Sequence, residues 1–255
     1  VPTLLLLLLA LSLPFGMMGP SFMLGALGMD VTAVLGLAAL AGSLAPALKR
    51  NLRPDLPGWA SIAWAGAWLV SSLAAPANWG NSSLAAWNLA IGPLIFAAAR
   101  PVLPPRSRNI ILAGLGTALA VAALLHASGN TGLPAPAGLR GVPWNAVAAR
   151  PLTGSGPGSF PDLPLWAGLL PRGGLLAGLA GAFLLGALGR AIYRHSRPAR
   201  GRREAAQPAL LLAALIISGL AFDPLAPAGT GLGFWMAMSV LLPPARPAYN
   251  AGRRA

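Results

Sequence analysis

The chain has 255 residues, of which 56% are hydrophobic and 9% charged, with a net charge of +13 and no cysteine. Its apolar residues fall in uninterrupted runs separated by short Pro, Gly or Arg clusters, which excludes an ordinary soluble domain built on amphipathic helices. The missing cysteines exclude a disulfide framework or a thiolate metal site, and the placing of the positive charge, in clusters just behind apolar runs, argues against a nucleic-acid-binding patch.

Unpaired backbone groups are too costly in hydrocarbon for anything but helices or closed barrels, and continuous Leu- and Ala-rich runs select helices. Spans are expected at 3–18, 31–48, 58–75, 83–99, 109–127, 166–189, 207–222 and 229–243. The expected fold is therefore all-α, a polytopic membrane protein of about eight transmembrane helices with one long outer loop. It divides into an N-terminal helical part (1–127), the loop (128–165) and a C-terminal helical part (166–255). The first run, Leu4 to Leu13, has no basic flank before it and no clear cleavage site after it, so it reads as a helix rather than a signal peptide. Val1 in place of Met suggests a partial or processed chain.

After that run, the Gly- and Met-rich stretch 16–28, broken by Pro20, reads as a short re-entrant or interfacial segment. Asp30 precedes Val31-Thr32-Ala33 and reads as a helix N-cap rather than an intramembrane carboxylate. Trp59, Trp79, Trp166 and Trp235 lie near expected helix ends, where indoles anchor to the membrane interface. Lys49 to Arg53, Arg100 to Arg108, Arg190 to Arg203 and Arg246 to Arg254 all fall on one side of this topology. Of the 18 Lys and Arg, only Arg140, Arg150 and Arg172 fall on the other, so the basic side is cytoplasmic.

The connection from Ser128 to Leu165 is the longest polar stretch, and loops of that length usually carry function or are disordered. Its second half holds Arg140, Trp144 and Arg150, then Gly154, Gly156 and Gly158 alternating with Ser155 and Pro157. Alternating glycines permit positive dihedrals and N–H groups that converge on an anion, and guanidinium groups hold phosphate oxygens in pairs. The plainer reading is a tight turn re-entering the membrane, with the arginines reaching lipid headgroups.

The ordered set Arg140, Trp144 and Arg150-Pro-Leu-Thr-Gly-Ser-Gly-Pro-Gly-Ser-Phe160 resembles the large periplasmic loop of the O-antigen ligase and polymerase family of bacterial envelope enzymes. Leu169 to Gly178 resembles the start of the helix that follows that loop, and the likeness covers roughly residues 138–180. It implies a multi-pass glycosyltransferase of the bacterial inner membrane. Such an enzyme moves a glycan from a polyprenyl diphosphate carrier to a lipid or glycan acceptor, among membrane lipids, with no metal or other cofactor and no nucleic acid partner. The leaving group is a lipid diphosphate, whose growing charge fixed cations and amides stabilise. By the resemblance Arg140 takes that catalytic role, and Arg150, Gly154, Gly156, Gly158 and Phe160 bind substrate.

The chain also departs from the family pattern. Members carry a His after the glycine motif, and residues 161–175 contain none. His126 lies before the motif and His195 in the basic cytoplasmic stretch, while Asp162 and Asp223 are the remaining acid–base candidates on the outer side. A relative that has lost its chemistry and a transporter are the alternatives. The second expects interrupted helices with polar groups at depth, and the expected spans hold few.

Overall fold

A computed structural model describes residues 2–13, 22–24, 27–29, 31–50, 52–75, 79–127, 143–157, 159–160, 163–197, 201–221 and 228–242. The all-α expectation holds, apart from one hairpin of two three-residue strands, β1 (Phe22–Leu24) and β2 (Leu27–Met29), with Phe22 opposite Met29. The helices are α1 (Pro2–Ser12), α2 (Val31–Lys49), α3 (Leu56–Leu73), α4 (Trp79–Ala99), α5 (Pro105–Ala127), α6 (Trp144–Ala149), α7 (Leu165–Ser196), α8 (Gly201–Ala221) and α9 (Ala228–Leu241). Among them, one, α7, is long and apolar enough to cross a membrane.

Several boundaries differ from expectation. The first helix is Pro2–Ser12, with 14–18 of the expected span outside the described residues, and the hairpin falls at the end of the stretch expected to be re-entrant. α7 runs on to Ser196 and α8 begins at Gly201, because Arg and Ala residues propagate a helix readily outside an apolar run. α6 was not expected; Pro143 starts it as N-cap, its carbonyl accepting from the Ala146 amide at 3.0 Å, and an Ala-rich sequence follows.

α4 sits at the centre, with α2, α3 and α9 around it; α3 also packs on α7, and α7 on α8. Close approach rests on indole rings lying over glycines of the neighbouring helix. A side chain at Gly181 would meet Trp64 at 2.7 Å, one at Gly92 would meet Trp235 at 2.4 Å, and one at Gly219 would meet Trp166 at 2.5 Å. This corrects the reading of one interface anchor: Trp235 is 2% exposed, tilted against Phe96 and edge-on to Phe234. Trp166, partly exposed, donates its Nε1–H to the Ile216 carbonyl across the α7–α8 contact. Trp59, more than half exposed, keeps a surface position.

At one end of the bundle Arg100, buried just after α4, makes a bidentate pair with Asp55, the N-cap of α3, which also accepts from the Gly58 amide. Burial lowers the Arg100 pKa from its usual value, and the Asp55 charge opposes that shift. The guanidinium also lies 5.2 Å above the Phe96 ring. At the same end Thr3 donates to Ser107, joining the starts of α1 and α5.

Candidate functional site

α7 is two helices in one. At Gly174 the backbone turns to φ +62° and ψ −163°, a region open essentially to glycine alone, just after Pro171 and Arg172. A break of this kind strands the last carbonyls of the upper segment and the first amides of the lower one. The loop Pro151 to Gly156 supplies both sets of partners. The amides of Ser155 and Gly156 donate to the carbonyls of Pro171 and Arg172 at 2.8 and 2.9 Å. In return, the amides of Leu175 and Leu176 donate to the carbonyls of Pro151 and Leu152 at 2.8 and 3.1 Å.

Glycine is required where these two strands of backbone touch. A Cβ on Gly154, at φ +66°, would lie 2.5 Å from the Arg172 carbonyl, and one on Gly174 would lie 2.3 Å from the Leu152 oxygen. α3 closes the third side, where the Ser71 hydroxyl lies 2.6 Å from the Thr153 oxygen and 2.8 Å from that of Arg172. Gly154 itself donates to the Arg150 carbonyl at 2.9 Å. The amides of Gly154, Ser155 and Gly156 are thus committed to carbonyls of the protein. In this conformation they staple the broken helix instead of converging on an anion.

Arg172 is 3% exposed, and its side chain folds back over the loop. Nε and Nη2 donate to the Phe160 carbonyl at 3.2 and 2.7 Å, Nη2 also to Leu163 at 2.7 Å, and Nε to Ser159 at 3.1 Å. Phe160, bracketed by these bonds, is held at φ +54°, rare for a residue with a side chain.

Arg150 is exposed on the rim of the loop, with Nη1 donating to the Ala74 carbonyl at the end of α3 at 2.8 Å. Beside it Trp144 and Leu152 are 64% and 62% exposed. Between α3 and α7 runs an open apolar groove of about 410 Å³, walled by Ala63, Gly66 and Val70 on one side and Leu176, Leu179 and Phe183 on the other. Both walls end at the loop. Val70 is one turn before Ala74, and Leu176 is bonded to Leu152.

Of the residues expected at the site, Arg150, Gly154, Gly156 and Phe160 are brought together; Arg140 and Gly158 lie outside the described residues, as do Asp30, Asp162, Asp223 and the side chain of His126. His195 lies in the last turn of α7, at the other end of that helix from the loop. Sequence reasoning missed Ser71 and the part played by Arg172. The signal was present in Pro171-Arg172-Gly173-Gly174, a helix breaker, a charge and two glycines inside an apolar run. No protein-family model, no curated protein and no solved structure matches this chain.

Proposed function

We propose that the chain is a multi-pass membrane glycosyltransferase of the O-antigen ligase type, drawing its glycan from a polyprenyl diphosphate carrier at the outer face of a bacterial inner membrane. The membrane part of the reading draws on how side chains are sorted. Large apolar residues point outward, as with Leu119, Leu179, Leu210 and Ile217 at 67 to 71% exposure, while Ser43, Ser61, Ser71 and Ser239 are buried. In water that arrangement is a large unfavourable apolar surface; in lipid it costs nothing, and small and polar residues at helix contacts hold the bundle together. Helices α2, α3, α4, α5 and α8, of 18 to 23 residues, are each about long enough for the hydrocarbon layer.

The observation that carries the catalytic reading is an exposed Arg150, on the motif-bearing loop, at the end of the apolar groove between α3 and α7. An isoprenoid chain would lie in the groove while its diphosphate meets Arg150, with Arg140 as the second cation on the same loop. The committed amides of Gly154 and Gly156 give those glycines a supporting part, holding the loop to α7. Phosphate contact then falls to guanidinium groups, which neutralise the charge that develops as the glycosidic bond breaks. The test is transfer of glycan from a polyprenyl diphosphate donor to a lipid acceptor by the purified protein in proteoliposomes. Transfer is expected, with a loss of about a hundredfold in Arg150→Ala and more in Arg140→Ala. Unchanged transfer in both variants would sink the assignment.

The broken α7 with its buried Arg172 favours transport as a second reading, since discontinuous helices form many transporter sites. Substrate-dependent flux into the same vesicles without glycan transfer would select it. Against it stands the loop, which already satisfies the half-helix ends that a transported ion would otherwise meet.

A further inference from the structure

We propose that Arg172 is a positioning residue: through the carbonyls of Ser159, Phe160 and Leu163 it fixes the outer loop in the conformation that presents Arg150 at the mouth of the groove. Its loop-fixing part stands on geometry alone, and its bearing on transfer rests on the glycosyltransferase reading.

A buried guanidinium in an apolar helix is costly, and a Leu at the same place would avoid that cost only by leaving three loop carbonyls without their donor. What Arg supplies is reach in several directions from one rigid plane. Its side chain takes three carbonyls on the far limb of the loop, and its own carbonyl takes the Gly156 amide on the near limb. A single residue therefore ties both limbs to the break in α7. Ser71 adds a strap from α3 to the same Arg172 carbonyl and to Thr153.

The conformation so held is a strained one. Phe160 at φ +54° persists only where its surroundings over-determine it, and two of the Arg172 donors converge on its carbonyl. Packing leaves the guanidinium little freedom, since a Cβ on Gly168 would lie 2.9 Å from its central carbon. Arg150 begins the segment that this clamp orders: its carbonyl accepts from Gly154, and the next two residues cap the lower half of α7. Release of the clamp would free Arg150 from a fixed place relative to the groove while the lower part of α7, packed on α3 and α8, stays folded.

The experiment compares Arg172→Ala, Arg172→Lys and Ser71→Ala in the full chain in lipid nanodiscs. Amide hydrogen exchange is read at Ser155 and Gly156 and, as a reference, in α7 from 184 to 192. Loop exchange is expected to rise about tenfold or more in Arg172→Ala and by a smaller factor in Ser71→Ala, with the reference unchanged. Lys keeps the charge and lacks the fork, so Arg172→Lys is expected to resemble the Ala variant. Should Arg172→Ala fail to fold, the Lys and Ser71 variants decide alone.

Transfer from the polyprenyl diphosphate donor should lose kcat by about tenfold with KM within about twofold, the split expected when a transition-state contact is misplaced. Unchanged loop exchange in the Arg172 variants, or full rescue by Lys, overturns the clamp whatever the activity. Raised exchange with unaltered kcat overturns the positioning role. Raised exchange in a protein whose wild type transfers no glycan upholds the clamp and removes the glycosyltransferase reading instead.

Discussion

The staple between the loop and α7 makes Gly174→Ala a severe substitution, and its cost can be worked from the geometry. A methyl at Gly174 would lie 2.3 Å from the Leu152 oxygen, 2.4 Å from its carbonyl carbon and 2.6 Å from the Thr153 nitrogen. All three are backbone atoms, so no side chain can turn aside, and the loop must lift. Lifting breaks the bonds from Leu175 to Pro151 and from Leu176 to Leu152, each worth about 0.5 to 1.5 kcal/mol. An alanine forced into this glycine-only region adds about 1 to 3 kcal/mol. The total is about 2 to 6 kcal/mol.

Thermal unfolding of the detergent-solubilised protein, followed through its 8 tryptophans, would read this as a drop in Tm of about 10 °C. Gly66→Ala is the matched control. Gly66 sits inside α3 with nothing within 4 Å of an added Cβ, so Ala should be neutral or raise stability by up to about 1 kcal/mol. If the two substitutions moved Tm alike, the stapled break would be wrong.

Removing the Asp55 carboxylate takes from the buried Arg100 its bidentate partner and from α3 its N-cap, a loss of about 3 to 5 kcal/mol; Asp55→Ala with Arg100→Met should cost less than Asp55→Ala alone, as a double-mutant cycle in urea would measure. Gly92→Val drives a methyl into Trp235, whose ring lies 2.4 Å from the site of the new Cβ, and should destabilise by about 1 to 3 kcal/mol with a changed tryptophan emission spectrum. Because the chain has no cysteine, sidedness can be read by single introductions at exposed places. Leu152→Cys should react with an impermeant maleimide on cells whose outer membrane is opened, and Arg106→Cys only after the inner membrane is breached; the reverse pattern refutes the topology.

The helical class and the rough places of the helices were legible because apolar runs and basic clusters are local signals. The expected span at 58–75 and the observed α3, Leu56–Leu73, agree to within two residues at each end for that reason. Whatever depends on partners distant in sequence was not legible. Gly154 to Gly156 looked like an anion nest because alternating glycines allow one, and only the broken α7 about twenty residues later shows where those amides go. Trp235 looked like an anchor from its place in the chain, and the glycine that receives it, Gly92, lies on α4. The Asp55–Arg100 pair likewise joins residues 45 apart, with no periodicity to announce it.

The arginines that break the charge rule now divide by what surrounds them. On the proposed topology these arginines lie on the translocated side, where a cation works against the insertion bias, so each calls for a local reason. Arg172 has one in its carbonyl partners, which take bonds from Nε and Nη2 while the side chain lies buried against the loop. Arg150 gives one bond from Nη1 to Ala74 and is otherwise exposed. The first makes the loop rigid and the second makes it attractive to anions, and a site for a diphosphate needs both properties in one segment. A flexible arginine would bind the carrier before and after bond cleavage equally well, and equal binding accelerates nothing. The rigid mounting of Arg150 is therefore the feature on which a catalytic, rather than merely lipid-binding, loop depends.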